Sequence, residues 1–281
     1  MCSLFAIRSN DKMLIGKNKD HVQNGGSIHF VNNEYRYGLQ TIPHFTLEQL
    51  GIDRPYDGVN QHGLYAGVTA IPEKKVGDSA QRHPVISSFG LIKYVLERAV
   101  DAKQALAIAE KFRIDYLKNY DYPRVQFFFA DKHYNVIIYE EDTAVNSFCL
   151  KNGEYQYITN NPYYDKTSRN ECPRVTVLEE VLKANPAKSL EDVLSLLSKV
   201  NLAKFEPLPG VCSIYSVGCD LTNMEINLVI EEDYSNPFPY NITKELKNPR
   251  HEHFSLLRSQ KFRFFSNHFG SWDNESVQTT A

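Results

Sequence analysis

Cysteine is the second residue of this chain, directly after the initiator methionine, where a thiol and a main-chain amine could act together. Initiator methionine is normally removed when the next side chain is small, so we expect Cys2 to become the first residue. An α-amine has a reference pKa of about 7.7–8 and can accept the thiol proton near neutral pH. Because the thiolate is the stronger nucleophile, Cys2 would then supply both the nucleophile and the base for attack on a carbonyl carbon.

A second candidate group lies in residues 16–20 (GKNKD), at the end of the second predicted strand. If the first two strands form a hairpin, Asp20 returns to the neighbourhood of Cys2, and its carboxylate can hold the amine or the thiol in place. Lys17 would favour the thiolate as a nearby cation. The same pentapeptide is also typical of a solvated turn, because charged side chains usually lie at the surface.

A third candidate group is residues 159–162 (TNNP), which follow a predicted strand over 155–159. An asparagine amide at a strand end can donate a hydrogen bond to the oxyanion of a tetrahedral intermediate, a contribution of about 2.7–4 kcal/mol. The same four residues are also ordinary turn composition. Taken alone, this segment does not decide between the two interpretations.

The elements that must position these residues alternate between two periodicities. Period-two runs predict strands, and apolar residues at helical spacing predict helices that begin at Ser or Asp caps. The predicted strands include 3–7, 13–18, 125–130, 136–139 and a closing hairpin over 212–229, and the predicted helices begin near Ser87, Asp101 and Ser189. This order indicates layers of sheet and helix, an α+β fold in one domain over residues 1–281, with 271–281 as a loose tail.

Composition excludes several classes of function. The net charge is −3 with no basic stripe, which argues against a nucleic-acid partner. No apolar run is long enough to span a membrane, and no signal peptide is visible, so we expect no membrane partner. The five cysteines form no C-x-x-C pair, which predicts a reduced cytoplasmic protein without a zinc site.

Together, the three segments resemble the choloylglycine hydrolase family, which includes bile salt hydrolases and penicillin V acylases and belongs to the N-terminal nucleophile hydrolases. Residues 57–64 (DGVNQHGL) are similar to the family's Asp-Gly-x-Asn-x-x-Gly-Leu stretch. The resemblance implies a four-layer αββα sandwich, no cofactor and no metal. It also implies that Cys2 is the nucleophile, Asp20 the carboxylate that orients it, and Asn160 the oxyanion-hole asparagine, with Asn161 as the alternative.

The chain departs from the family pattern at several positions. Lys17 stands where the family usually has arginine, and a lysine cannot reproduce a planar guanidinium fork. The family's second oxyanion asparagine falls in residues 68–70 (VTA), so Thr69 or a backbone N–H must replace it. The late family arginine corresponds to Arg174 or Arg169, and we favour Arg174.

The stretch between Asp165 and Arg174 is also abbreviated. An insertion there helps to assemble the tetramer of bile salt hydrolases. The resemblance therefore does not imply a tetramer for this chain, and a homo-oligomer stays open. The shorter form is similar to the branch typified by isopenicillin N acyltransferase.

The leading hypothesis is a cysteine amidohydrolase that cleaves linear amide bonds of small N-acyl substrates through an acyl-enzyme. An acyltransferase on the same site and a catalytically silent binding protein on the same scaffold are alternatives. A glutamine amidotransferase ranks third, because glycine normally follows its cysteine where this chain has Ser3. His62, His83 and His133 are isolated and lie in no recognisable motif, which disfavours a catalytic Cys–His pair.

Overall fold

The computed structural model describes most of the chain: residues 2–22, 25–32, 34–36, 38–49, 54–72, 84–115, 124–141, 143, 145–205, 211–254 and 265–266. The predicted tail over 271–281 and His83 lie outside the described residues. In the part of the chain described, no helix has the length and apolar character that crossing a membrane requires.

The first of two large sheets has six strands, and every neighbouring pair is antiparallel. In spatial order its strands are β14 (Tyr155–Ile158), β1 (Cys2–Ser9), β2 (Lys12–Val22), β15 (Val211–Asp220), β16 (Glu225–Ile230) and β17 (Phe238–Asn241). The predicted N-terminal and closing hairpins are therefore both present, and they lie side by side through β2 and β15.

The second large sheet has nine strands. In spatial order these are β13 (Asn146–Cys149), β12 (Asn135–Tyr139), β11 (Arg124–Asp131), β8 (Leu64–Ile71), β7 (Pro55–Asn60), β6 (His44–Gln49), β3 (Gly26–Val31), β18 (Arg250–Phe254) and β19 (Phe265–Ser266). Two small pairs complete the described strands: β4 (Tyr35–Arg36) with β5 (Leu39–Gln40), and β9 (Val85–Ser87) with β10 (Arg113–Asp115).

The described helices are α1 (Ser88–Leu96), α2 (Ala102–Ala109), α3 (Lys166–Asn170), α4 (Pro173–Ala184), α5 (Leu190–Lys199) and α6 (Ile242–Glu245), with a short 3₁₀ helix at Leu202–Lys204. Three of them, α1, α2 and α5, begin where the sequence predicted caps. The side chains of Ser87, Asp101 and Ser189 accept hydrogen bonds from the first turns of α1, α2 and α5. Each of these bonds satisfies an N–H group that the helix itself leaves without a partner.

Three apolar cores separate four layers. The faces of the two sheets meet in a core that includes Leu4, Phe30, Phe128 and Tyr215. Helices α1 and α2 pack on the outer face of the nine-stranded sheet, and α4 and α5 pack on that of the six-stranded sheet. Burial of one large apolar side chain contributes about 1.5–3 kcal/mol, so these cores fix the layer order. The predicted four-layer αββα sandwich is confirmed.

Strand β2 presents different side chains to the two sides of its sheet, because successive residues of a strand alternate. Lys17 contacts Asp57 and the Val68 carbonyl across the sheet–sheet interface. Its neighbour Asn18 instead donates to the Leu197 carbonyl of α5, on the helix side. The period of two therefore assigns Lys17 and Lys19 to the inner face.

Candidate active site

The main chain of Cys2, the first residue of β1, is held on both sides by polar side chains. Its N–H donates to Asn160 Oδ1 at 2.6 Å. Its carbonyl oxygen accepts a hydrogen bond from the Arg174 guanidinium at 2.7 Å. Only 2% of Cys2 is exposed. The structure thus brings together three residues that lie up to 172 positions apart.

The orientation of the Asn160 amide follows from its neighbours. Asn160 Oδ1 accepts from Cys2 N and, at 3.0 Å, from Arg174. Asn160 Nδ2 donates to the Ala70 carbonyl at 2.7 Å. With the amide reversed, the NH₂ group would face the two donors Cys2 N and Arg174, and its oxygen would face the Ala70 carbonyl oxygen. The hydrogen-bond partners therefore fix this orientation. One hydrogen on Nδ2 remains for an oxyanion.

Asp20 lies on the helix side of β2, behind Cys2. Its Oδ1 accepts a hydrogen bond from the Ser213 hydroxyl at 2.6 Å, and its Oδ2 lies 3.7 Å from Arg174. Burial raises the pKa of Asp20, and the Ser213 hydroxyl and the Arg174 charge oppose that rise. Arg174 therefore links Asp20 to the main chain of Cys2. Ser213 was not singled out from the sequence.

Of the two candidate arginines, Arg174 contacts the site. It lies in the first turn of α4, whose N-terminal end faces β1, and it also donates to the Ser3 hydroxyl at 3.2 Å. Arg169 instead stacks over the Tyr163 ring, 4.2 Å from the centroid, and donates to the Tyr163 carbonyl. The contacts favour Arg174, as the sequence analysis did.

Lys17 forms a buried ion pair with Asp57. Its ammonium lies 2.5 Å from Asp57 and 2.7 Å from the Val68 carbonyl. Asp57 also accepts from the hydroxyls of Tyr65 and Tyr215, each at 2.6 Å. Lys17 thus joins the two sheets through Asp57, and its effect on the thiol stays a prediction.

Two side chains placed at the substrate by the sequence analysis are engaged elsewhere. The Thr69 hydroxyl donates its one hydrogen to the Thr159 carbonyl at 2.8 Å and accepts from Gln126. It therefore supports the segment that bears Asn160 and has no hydrogen left for an oxyanion. Asn161 turns its amide away, towards Ser168 of α3. A role of either side chain in substrate binding stays a prediction.

Comparison with solved structures shows which proteins share this arrangement of layers. Penicillin V acylase from Agrobacterium tumefaciens superposes with a TM-score of 0.66 at 17% identity, covering 91% of this chain and 92% of that one. A variant of conjugated bile acid hydrolase from Clostridium perfringens also gives 0.66, at 14% identity, covering 96% and 100% of the two chains. The Caenorhabditis elegans ortholog of N-acylethanolamine-hydrolyzing acid amidase gives 0.54 at 15% identity, covering 79% and 93%.

This chain has the N-terminal nucleophile hydrolase fold. No protein-family model matches the sequence, and no curated protein sequence matches it significantly. At such low identity the likeness concerns the fold, and at that level it confirms the resemblance found in the sequence. Cys2 is the first residue of β1, which lies between β14 and β2 in the six-stranded sheet.

Lys19 belongs to the candidate segment 16–20, but the sequence analysis gave it no role. Lys19 is the partner of Cys2 in the β1–β2 register, and its ammonium lies over the Tyr56 ring, 3.6 Å from the centroid. Burial lowers the pKa of Lys19 to about 8, while the adjacent Cys2 opposes that shift. The period of two, which pairs Lys19 with Lys17 on the inner face, was the available signal.

The described residues provide no histidine hydrogen bond to Cys2 and no cluster of metal-ligating side chains. Among the described residues, Cys2 hydrogen bonds with Asn160 and Arg174, and with no histidine. His62 and His133 lie in turns, where their N–H groups donate to Asn60 and Asp131. Within the same described ranges, no three His, Cys, Asp or Glu side chains gather as metal ligands would. The absence of a cofactor stays a prediction.

Proposed function

We propose that this protein is a cysteine N-terminal nucleophile amidohydrolase that cleaves linear amide bonds of N-acyl substrates. The observation that supports this most directly is the hydrogen bond from Cys2 N to Asn160 Oδ1, at 2.6 Å. Removal of Met1 would turn that nitrogen into an α-amine already oriented by an asparagine whose second amide hydrogen is available. Nucleophile, base and oxyanion donor would then meet at one strand end.

The proposed reaction has two steps. In the first, the α-amine accepts the thiol proton, Cys2 Sγ attacks the acyl carbonyl, and Asn160 Nδ2 donates to the oxyanion. Collapse breaks the C–N bond, and the α-amine returns the proton to the leaving amine. In the second, the same α-amine takes a proton from water, which attacks the thioester and releases the acid and the thiol.

Arg174 and Asp20 have a positioning role in this proposal. The guanidinium donates to the Cys2 carbonyl and to Asn160 Oδ1, so it fixes the nucleophile and the oxyanion donor relative to each other. Asp20 lies 3.7 Å from the same guanidinium and receives the Ser213 hydroxyl. Such rigid placement matters because catalysis depends on alignment of the reacting atoms to a fraction of an ångström.

The substrate class follows from the names of the similar structures, which comprise a penicillin V acylase, a conjugated bile acid hydrolase and an N-acylethanolamine amidase. All three names describe amides between an acyl group and an amine, and we extend that class to this chain. We also place the activity in the cytoplasm, because the five cysteines are free thiols, which a reducing compartment maintains.

The test combines intact mass with a substrate panel. The purified chain should lack Met1 and should hydrolyse at least one of glycine- or taurine-conjugated bile salts, penicillin V, acyl-homoserine lactones and N-acyl amino acids. Cys2→Ala should abolish turnover, whereas Cys149→Ala, which removes an exposed thiol, should leave it unchanged. Retention of Met1, or turnover that survives Cys2→Ala, would contradict the proposal.

Hydroxylamine distinguishes hydrolase from acyltransferase. Added to each reaction, it intercepts the acyl-enzyme as a hydroxamate whichever natural acceptor is used. Hydroxamate without release of free acid in water would indicate an acyltransferase. Substrate binding without either product would indicate a silent binding protein.

A further inference from the structure

Three side chains form a row across the inner face of the six-stranded sheet. Cys2 of β1 is paired with Lys19 of β2, and Lys19 is paired with Tyr215 of β15. Residues directly opposite each other in antiparallel strands point to the same side, with Cβ atoms about 4.5–5.5 Å apart. The thiol and the Lys19 side chain therefore leave the sheet side by side.

The Lys19 ammonium is a buried cation without a carboxylate hydrogen bond. Lys19 is 4% exposed, and in the described residues its ammonium has a ring contact with Tyr56 and no ion pair. The other cation of this face, Lys17, is already paired with Asp57, whose oxygens also receive two tyrosine hydroxyls. A buried charge is costly unless an opposite charge accompanies it. Asp57 is thus committed to Lys17, and the acidic group opposite Lys19 in the strand register is the Cys2 thiol.

We propose that the Lys19 ammonium is the cation that stabilises the Cys2 thiolate, the role that the sequence had suggested for Lys17. The inference rests on the proposed function, in which that thiolate is the nucleophile. The Tyr56 ring holds the ammonium at this position through a cation–π contact. In this arrangement the side chain of Lys19 faces the nucleophile from the next strand.

The neighbouring charges are consistent with this arrangement. Burial lowers the pKa of Lys19 to about 8 and Lys17 adds to the effect, whereas Cys2, Asp57 and Asp20 act in the opposite direction. At pH 7 the ammonium is therefore still mostly protonated. Across the row, the hydroxyl of Tyr215 is committed to Asp57, and burial raises its pKa well above the usual value. Tyr215 thus stays neutral and does not compete for Lys19.

The experiment measures the thiolate itself rather than turnover. The protein without Met1 is alkylated with iodoacetamide from pH 5 to 10, and modification of Cys2 is followed by peptide mass spectrometry. An adjacent opposite charge favours the ionised form of a thiol. Lys19→Met should therefore slow the alkylation of Cys2 at pH 7 about tenfold. Lys19→Arg should restore most of the rate.

The controls separate this inference from a general structural effect. Lys183→Met, which removes an exposed lysine of α4, should leave the alkylation profile unchanged. Circular dichroism and thermal melting identify variants that are not folded, and Lys19→Gln is the second variant if Lys19→Met does not fold. An unchanged Cys2 profile in a folded Lys19 variant overturns the inference. So does a pH profile of Cys2 alkylation in the unmodified chain that matches the profile of free cysteine.

Failure of this inference differs visibly from failure of the proposed function. A Lys19-dependent thiolate without turnover on any substrate would remove the function and leave the electrostatic pairing intact. Cys2-dependent turnover with a profile insensitive to Lys19 would do the reverse.

Discussion

At the residue scale, two adjacent asparagines of the same turn face different partners. Asn160 contacts Cys2, Arg174 and Ala70, whereas the Asn161 amide donates to Ser168. A turn rotates successive side chains by large angles, so neighbours in sequence need not share a site. The pair therefore supplies a matched comparison, in which the same chemical change is made once inside the site and once outside it.

Asn160→Ala is expected to lower kcat about 100- to 1000-fold with a smaller change in KM, because the lost N–H acts chiefly on the oxyanion of the transition state. Asn161→Ala should retain most of the activity and lose about 1 kcal/mol of stability, as expected for one hydrogen bond. Steady-state kinetics and urea unfolding of both variants provide the measurement. Equal losses of kcat would show that Asn160 has no special role.

At the scale of elements, the β1–β2 hairpin places Cys2 and Asp20 at the same end of the sheet. Its register runs from Cys2 opposite Lys19 to Ser9 opposite Lys12, around a turn in which Asn10 has φ 53°. Asparagine tolerates this left-handed conformation better than most residues. Midway along the hairpin, the Phe5 ring covers Gly16, and a Cβ built on Gly16 would lie 2.2 Å from it.

Gly16→Ala should therefore destabilise the protein by about 1–3 kcal/mol, because the Phe5 ring has to move into an already packed core. Gly218 is the natural control, since it is paired with Gly16 on the next strand. A Cβ there would meet side chains of α5, the nearest being Val193 at 3.2 Å, so Gly218→Ala should have a smaller effect. The midpoint of urea unfolding, followed by tyrosine fluorescence, compares the two variants. A larger loss for Gly218→Ala would contradict this account.

At the scale of the whole molecule, the two inner sheets bury polar groups as well as apolar ones. The Lys17–Asp57 pair connects the sheets near the site, and His44 of β6 is buried in the nine-stranded sheet with a hydrogen bond of 2.8 Å to the Ile42 carbonyl. Burial lowers the pKa of His44, against a smaller opposing effect of that carbonyl. The folded protein therefore binds the His44 proton less readily than the unfolded chain does.

This difference predicts a loss of stability in mild acid. Below the unfolded pKa of about 6.5, the unfolded chain takes up a proton at His44 that the folded chain does not, so the free energy of unfolding decreases as the pH falls. His44→Gln should reduce that decrease between pH 7.5 and 5.5, measured by urea unfolding at both pH values. Groups common to both proteins, including the buried Asp20, cancel in the comparison. An identical pH dependence in the variant would show that His44 does not contribute.

The sequence by itself determined the parts that depend on local order. Caps at Ser87, Asp101 and Ser189, the N-terminal hairpin and the choice of Cys2 as candidate nucleophile follow from residue types and from spacings of a few residues. Strand β6 was missed, although Phe45 and Leu47 alternate with polar residues. All six of its residues lie buried, because the strand is covered on both faces, by the facing sheet and by the helical layer. Local alternation does not reveal that burial of the polar side chains.

Tertiary structure alone decided which of several similar residues meet at the site. The pairing of β14 with β1, across more than 150 residues, brings Asn160 to Cys2, and the packing of α4 brings Arg174 and not Arg169. The facing sheet supplies Asp57 to Lys17 and the Tyr56 ring to Lys19. These choices depend on long-range contacts between elements, and local propensity contains no information about which elements become neighbours.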